Sequence, residues 1–273
     1  MGTRADPSTQ NLISELFDRT ASSYGLVGPD FFSDIAGRLV KRAAIHSGDA
    51  VLDLATGSGA VIAQITPLVG QTGSVIGIDV SEAMLGRARQ RLARITPPGL
   101  NLVLRRMRAE QLEFDAASFD RVTCASALHL FDDPAAALAE VRRVLRPRGR
   151  LSVSLFGAED PRWHWKDELL EQLKPTISLK QRFDQAGLHE LLTGAGFDAV
   201  HIDTEQIDVP YLSAKEWLAS AWSHGWRHAL ERMDRDTLTA FRDSLPSLID
   251  PSREHDDVYH WRPQIIFAFA DKP

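Results

Sequence analysis

Cysteine is nearly missing from this chain. Cys124 is the single one in 273 residues, which excludes an internal disulfide and fits a reducing compartment. It lies inside an apolar run, where a packing role outweighs a nucleophilic one. Positive charge is not in excess either: 31 Lys and Arg stand against 37 Asp and Glu, a net charge of -6. That balance argues against a nucleic-acid-binding surface. No apolar run reaches membrane-spanning length, and the first residues lack a signal-peptide core. The expectation is a soluble, cytoplasmic protein that engages neither nucleic acid nor membrane. Internal repeats and low-complexity segments are absent. Tryptophan is missing from the first 160 residues, since all six (Trp163, Trp165, Trp217, Trp222, Trp226 and Trp261) come later. The length suits one large α/β domain with an insertion or a small second lobe.

What is present centres on Ala50-Val51-Leu52-Asp53-Leu54-Ala55-Thr56-Gly57-Ser58-Gly59-Ala60. A short apolar run closed by glycines reads as a buried strand entering a turn. The following Val61-Ile62-Ala63-Gln64-Ile65 opens a helix. Glycines let a ligand approach bare backbone, and a helix N-terminus offers unpaired N–H groups to an anion. The next strand, Gly73-Ser74-Val75-Ile76-Gly77-Ile78-Asp79-Val80, ends in an acid. Nucleotide-binding βαβ units place a ribose-binding carboxylate roughly 20 residues after the glycine turn. The third glycine of a dinucleotide fingerprint is missing, because Ile62 follows Gly57 and Gly59. An acid, Asp53, also precedes the turn. A pyrophosphate has little use for that carboxylate, whereas a cofactor carrying an ammonium group and a sulfonium does.

These residues resemble the motifs of class I S-adenosylmethionine-dependent methyltransferases. Asp53-Leu54-Ala55-Thr56-Gly57-Ser58-Gly59 is similar to their first motif, and Asp79 to the acid ending their second strand. Phe119-Asp120-Arg121-Val122-Thr123-Cys124-Ala125-Ser126-Ala127-Leu128-His129 resembles their fourth strand. Val141-Arg142-Arg143-Val144-Leu145-Arg146-Pro147-Arg148-Gly149-Arg150-Leu151 resembles the helix, turn and fifth strand after it. The likeness runs over 11–157 and resumes at the C-terminus. It is greatest to the branch of ubiquinone-biosynthesis and bacterial natural-product methyltransferases. It implies a Rossmann-like α/β fold, with a seven-stranded, mostly parallel sheet ending in an antiparallel hairpin and a helical substrate cap. It further implies S-adenosyl-L-methionine as cofactor, with Tyr24, Asp53, Ala55, Gly57, Gly59, Asp79, Val80, Met84, Ala109, Glu110, Ser126 and His129 around it.

Three segments follow from this reading: N-terminal helices over the cofactor in 1–45, the cofactor-binding core in 46–157, and 158–273. The last holds the end of the sheet and two cap insertions, 158–182 and 210–260. Residues 1–10 read as disordered. Helices are expected at 12–24 and 31–44, strands at 50–54, 74–79, 101–106, 119–126 and 149–156, and helices between them at 59–68, 81–94 and 134–145. Beyond the core come a helix at 183–196, a strand at 197–208, helical 212–245 and a final strand at 264–270. Arg108 departs from the family, in which an Asp commonly accepts from the adenine amino group; Arg has no acceptor. Backbone at Ala109, Glu110, or stacking on Arg108 remain as alternatives.

His224 and His228 are four apart on an expected helix face with Trp217 and Ala221. No third ligand matches, so no metal is expected, and a pocket wall or packing face is the reading. Trp222 and Trp226 form a second aromatic face that fits a lid over an apolar acceptor, ordinary core, or a homodimer interface. Trp163, Trp217, His224 and His228 are the candidate substrate contacts, and His164 is undecided. His255-Asp256-Asp257 reads as a solvated loop. His129 is the candidate general base, with a pocket-shaping role or a cap on the following turn as alternatives. The expected function is methylation of a small, largely apolar molecule, aromatic or heteroaromatic, in secondary metabolism, on carbon, nitrogen or oxygen. A nicotinamide-dependent oxidoreductase, and a methyltransferase fold turned to cyclisation or a non-catalytic role, are the competing classes.

Overall fold

The computed structural model describes residues 9–175 and 183–273. Of the residues expected to be disordered, 1–8 lie outside those described, as does the end of the 158–182 insertion, whereas Thr9 and Gln10 are helical, at the start of α1. In chain order the elements are α1 (Thr9–Thr20), α2 (Phe31–Arg42), β1 (Ala50–Leu54), α3 (Ala60–Val69), β2 (Ser74–Asp79), α4 (Glu82–Leu92), β3 (Asn101–Arg106) and β4 (Phe119–Ala125). Then come α5 (Pro134–Val144), β5 (Leu145–Phe156), α6 (Trp165–Leu173), α7 (Gln185–Gly194), β6 (Asp198–Gln206) and β7 (Val209–Tyr211). The chain closes with α8 (Ala214–Trp222), α9 (Arg227–Leu230), α10 (Arg235–Ile249), β8 (Tyr259–Trp261) and β9 (Gln264–Asp271).

Seven strands form one sheet in the order β3-β2-β1-β4-β5-β9-β6. Pairings from β3 through β5 are parallel, and β9 runs antiparallel between β5 and β6. This is the expected class I fold. Parallel strands covered on both faces need unbroken apolar sequence, and β1 is buried at every position from Val51 to Leu54. The strand order reverses between β1 and β4, so their carboxyl ends flank the crevice where such sheets take ligands.

Caps set several boundaries. Ser81 accepts from Met84 N at 3.1 Å to start α4, and Asp133 accepts from Ala136 N at 3.0 Å to start α5. Helix α1 starts at Thr9 and stops at Thr20, before Tyr24. The Thr20 hydroxyl bonds Phe17 O at 3.2 Å, and the Ser23 hydroxyl bonds Thr20 O at 3.2 Å. Such local side-chain bonds compete with helix continuation. The stretch 212–245 is three helices rather than one, broken at Gly225 and recapped by Asp234, which accepts from Thr237 N at 2.7 Å. β5 begins at Leu145, four residues before the expected start, because a register shift against β4 lets Pro147 sit in the strand. The pair β7–β8 is a second, two-stranded sheet that sequence reading missed; it clasps the base of the helical insertion. Among the described residues no helix is long and apolar enough to cross a membrane.

Candidate active site

Two adjoining cavities open at the carboxyl edge of the sheet. The first, about 90 Å³, has Ala55, Gly57, Asp79, Val80, Met84, Ala109 and Ser126 in its wall, with Tyr24 above. The second, about 220 Å³, lies beyond it; Phe17, Tyr24, Phe32, Ser126 and Leu130 belong to both walls.

Asp79 ends β2 and is the charged centre of the first cavity. Its Oδ2 accepts from Gly57 N at 2.8 Å and its Oδ1 from Ser81 N at 2.9 Å. Burial pushes the carboxyl up to about 6, against the pull of those backbone donors. Gly57 has φ +53, and a Cβ there would meet Met84 Cε at 3.4 Å, so only glycine leaves this wall bare. Ala55 and Ser126, directly after β1 and β4, also hold positive φ values of 49° and 54°. Two non-glycine residues in that region on facing strand ends is strain collected at a site.

Asp53 sits deeper than the sequence suggested. It is 1 % exposed and outside both cavity walls. Thr123 Oγ1, on the neighbouring β4, donates to its Oδ1 at 2.7 Å. Its Oδ2 and the Thr56 hydroxyl are buried and, among the described residues, neither has a hydrogen bond of ordinary geometry, although Thr56 is close enough to pull the carboxyl down. Burial, with Asp79 adding to it, pushes the Asp53 carboxyl up to about 7. Gly59 is not in the wall either. It caps α3 at φ +78, where a Cβ would come within 3.0 Å of Leu92 Cδ1 on α4; its role is the close approach of two helices.

The Arg108 departure resolves into an ion pair. Arg108 reaches Asp132 at 3.0 Å and Glu110 at 3.7 Å. Glu110 in turn accepts from Asp132 N at 3.1 Å, so both side chains bind the β4–α5 loop and neither enters a cavity wall. Met107, Ala109 and Phe131 line the first cavity there instead.

Helix α1 covers this end of the sheet. Ile13 and Phe17 face the first cavity, and Leu16 and Phe17 the second. The Ser14 hydroxyl donates to Val80 O at 3.1 Å, and the Ser81 hydroxyl donates to Asp18. Next to Asp18, Arg19 pairs with Glu231 at 2.7 Å, just after α9, and Arg227 of α9 donates to Arg19 O at 3.0 Å.

The second cavity is aromatic. Tyr24 stacks on Phe32 at 5.4 Å, and Phe156 on Trp261 at 5.8 Å. Phe31 packs edge-on against Trp261 at 5.5 Å and His224 at 5.8 Å. Trp226 completes this side. His129 enters from the 3-10 turn Leu128–Leu130 and lines this cavity alone. His224 lines it too; removal from water and the charge of Lys166 push its imidazole down to about 3, so it stays neutral.

The other expected substrate contacts lie elsewhere. Trp163 is fully buried, donating Nε1–H to His260 O at 3.1 Å, and Trp217 is 4 % exposed against Trp163, Trp165 and Phe241. Both form the core behind the Trp226–Trp261 wall, because their faces are consumed by other rings. His228 sits on α9 toward Glu231 and Arg19, away from both cavities, and His164 is exposed. Phe31, Phe32, Phe156, Glu159, Lys166 and Trp261 were not foreseen. Phe156 had a signal, its place at the carboxyl end of a sheet strand.

The walls suit a cofactor with a ribose, an ammonium and an uncharged ring. Asp79 presents a carboxylate at the cavity, Gly57 leaves a bare backbone cradle, and Asp53 Oδ2 and Thr56 Oγ1 lack a hydrogen bond of ordinary geometry at the turn. The comparisons agree with that chemistry. A family model described as a methyltransferase domain matches residues 51–149. The ubiquinone/menaquinone biosynthesis C-methyltransferase UbiE of Pseudoalteromonas translucida is 32 % identical over 219 residues, covering 72 % of this chain and 86 % of that protein. Phosphoethanolamine N-methyltransferase 2 of Haemonchus contortus, solved with S-adenosylhomocysteine, superposes with TM-score 0.63 at 17 % identity over 98 % of this chain and 61 % of the other. The [4+2]-cyclase SpnF superposes with TM-score 0.58 at 19 % identity over 100 % of this chain and 99 % of its own. The last two show the shared fold alone. The extent of the UbiE match decides the family: the chain belongs to the class I S-adenosylmethionine-dependent methyltransferases and resembles their ubiquinone-biosynthesis branch.

Proposed function

We propose that the protein methylates a small, largely apolar aromatic acceptor, with a ring carbon as the leading acceptor atom. The observation that carries this reading is the aromatic second cavity, joined to the first through Tyr24, Ser126 and Leu130. A cavity of about 150 Å³ lined by apolar side chains holds a benzene ring, so 220 Å³ suits one or two fused rings. The UbiE relatives, named as C-methyltransferases, support carbon.

In this reading the first cavity holds the cofactor. Asp79 accepts from the ribose hydroxyls, and the turn at Gly57, with Asp53 and Thr56 beneath it, takes the amino-acid end. Met107, Ala109 and Phe131 hold the adenine by apolar contact. When bound, S-adenosylmethionine supplies an electrophilic methyl group on a sulfonium that departs as a neutral thioether. What remains for the chain is alignment and exclusion of water. Phe31, Phe32, Phe156 and Trp261 orient the acceptor ring, and Leu16 and Phe17 close it from solvent. His129, on the wall of the second cavity, takes the proton of a ring hydroxyl in this reading, which raises the electron density of the ring; the ring C–H proton is lost to water after the methyl group adds, restoring the aromatic ring.

The test is turnover of methyl-labelled S-adenosylmethionine with reduced naphthoquinone, phenol, catechol and primary-amine panels, read by mass spectrometry. Labelled methyl on a ring carbon, with equimolar S-adenosylhomocysteine, is the expected result. Methylation confined to the aliphatic amines would overturn the aromatic reading.

A further inference from the structure

Lys166 is buried in the cap, where loss of water pulls its pKa down and the charge and hydrogen bond of Glu159 favour the ammonium form. It is 3 % exposed, on the first turn of α6, and its Nζ pairs with Glu159 at 2.6 Å. The same Nζ stands 3.9 Å from the centre of the Trp261 ring, 5.6 Å from that of Trp163 and 6.0 Å from that of Trp226. Glu159 is itself held by Trp261 Nε1 and by Asp160 N at 2.9 Å. Both members of the pair line the second cavity and neither lines the first.

We propose that Lys166 is a specificity-determining hydrogen-bond donor, binding a neutral oxygen, hydroxyl or carbonyl, on a one- or two-ring aromatic acceptor. This rests on reading the second cavity as the acceptor site. A buried ion pair is a poor stability device, because a well-packed apolar residue serves as well or better. Its place among three indoles on the wall of the second cavity points instead to a ligand group that uses it. An ammonium has three N–H donors, and Glu159 engages one direction. The aromatic faces fix the Nζ position by cation–π attraction, so the donor is pre-positioned rather than swinging on four bonds.

The charge around it selects among oxygens. Glu159 balances Lys166, and Asp167 adds a further carboxylate to the same wall. His224 contributes no positive charge, being neutral. The wall is therefore not cationic, and a carboxylate or phosphate on the acceptor meets two fixed negative groups. A neutral oxygen takes the Lys166 donor without that repulsion, and a hydroxyl can also give its own proton to Glu159. Sites built around such a bond reject analogues that lack the polar group more strongly than they reject a change in apolar size.

The experiment uses the full chain saturated with S-adenosylhomocysteine and three probes of one skeleton: naphthalene, 1-naphthol and 1-naphthyl phosphate, with binding read by calorimetry. Wild type is expected to bind 1-naphthol at least tenfold more tightly than either other probe. Lys166→Met should lose that tenfold preference, leaving naphthalene affinity and S-adenosylhomocysteine affinity near wild type. Glu159→Gln keeps the lysine but removes its counter-charge, so it should gain affinity for 1-naphthyl phosphate by tenfold or more; it also serves if Lys166→Met does not fold. Equal binding of naphthalene and 1-naphthol by wild type, or an unchanged preference in Lys166→Met, would overturn the role of Lys166 alone. Tightest binding of the phosphate by wild type would overturn the neutral-oxygen assignment. Binding of none of the three, with S-adenosylhomocysteine still bound, would overturn the aromatic-acceptor reading and this proposal with it.

Discussion

Asp79→Ala separates cofactor recognition from fold, because the two effects of the carboxylate on stability oppose each other. In the free protein the side chain accepts from Gly57 N and Ser81 N. Removing it leaves two N–H groups short of a partner, at about 1–3 kcal/mol each where water does not replace it. The carboxyl is also raised from an ordinary 3.8 to about 6 by burial. The unfolded chain releases this proton near 3.8 and the folded chain only near 6, so stability falls as pH rises through that window. Above it the deficit is constant, about 3 kcal/mol. Alanine removes that deficit, and the two effects cancel to within a few kcal/mol at pH 8. The variant should therefore fold. Its affinity should not survive, since each charge-assisted bond to a ribose hydroxyl contributes about 1.5–3 kcal/mol. One lost bond raises Kd for S-adenosylmethionine about 10- to 150-fold. A second signature is pH. Wild-type affinity should fall as pH drops from 8 to 5, because Asp79 protonates near 6 and Asp53 near 7. The variant should show a shallower fall, short by one proton. Calorimetry across that pH range measures both, and an unchanged Kd or an unchanged pH slope would refute the assignment of Asp79.

Gly57→Val should lose S-adenosylmethionine binding, because branched methyls would stand in the cavity beside Met84 from a backbone at φ +53; normal calorimetric binding by the soluble variant would place the cofactor elsewhere. His129→Ala should keep cofactor affinity and lower the single-turnover rate about 10²–10⁴-fold, with the wild-type rate falling at acid pH through one ionisation that the variant lacks. A near-normal rate with the wild-type pH profile would leave His129 a wall residue. Trp163→Ala empties the core of the cap and should cost about 3–5 kcal/mol, seen as a clear fall in Tm, whereas Trp226→Ala should raise the acceptor KM with a smaller change in Tm. Equal thermal shifts in the two variants would count against the division between core and wall.

The end of the site proposed for the cofactor was legible because its signals are local. A buried parallel strand reads as a near-continuous apolar run, and Gly57 marks the turn, where it holds φ +53 and leaves the wall bare; Asp79 follows at the spacing one helical crossover imposes. The depth of Asp53 was not legible, since it depends on β4 lying beside β1 and bringing Thr123 to 2.7 Å. The acceptor side was readable only in composition. Six tryptophans announce a packed aromatic region, yet nothing local distinguishes Trp163, with every face covered, from Trp261, with one face on a cavity. That division is set by which rings reach each other across 158–261. Strands of three residues, β7 and β8, are too short to show a period, so the clasp that fixes Trp261 in place left no pattern.

The tethering of α1 bears on turnover. Helix α1, of 12 residues, borders both cavities; Ser14 ties its middle to Val80 O, and at its C-terminal end the adjacent Asp18 and Arg19 reach Ser81 and Glu231. The ion pair of Arg19 with Glu231 is solvent-accessible and of the weak kind, so salt should loosen the C-terminal end of α1. Because α1 lines both cavities, the proposed assignment of one to the cofactor and the other to the acceptor predicts that exchange of the two ligands is coupled and speeds up together in high salt.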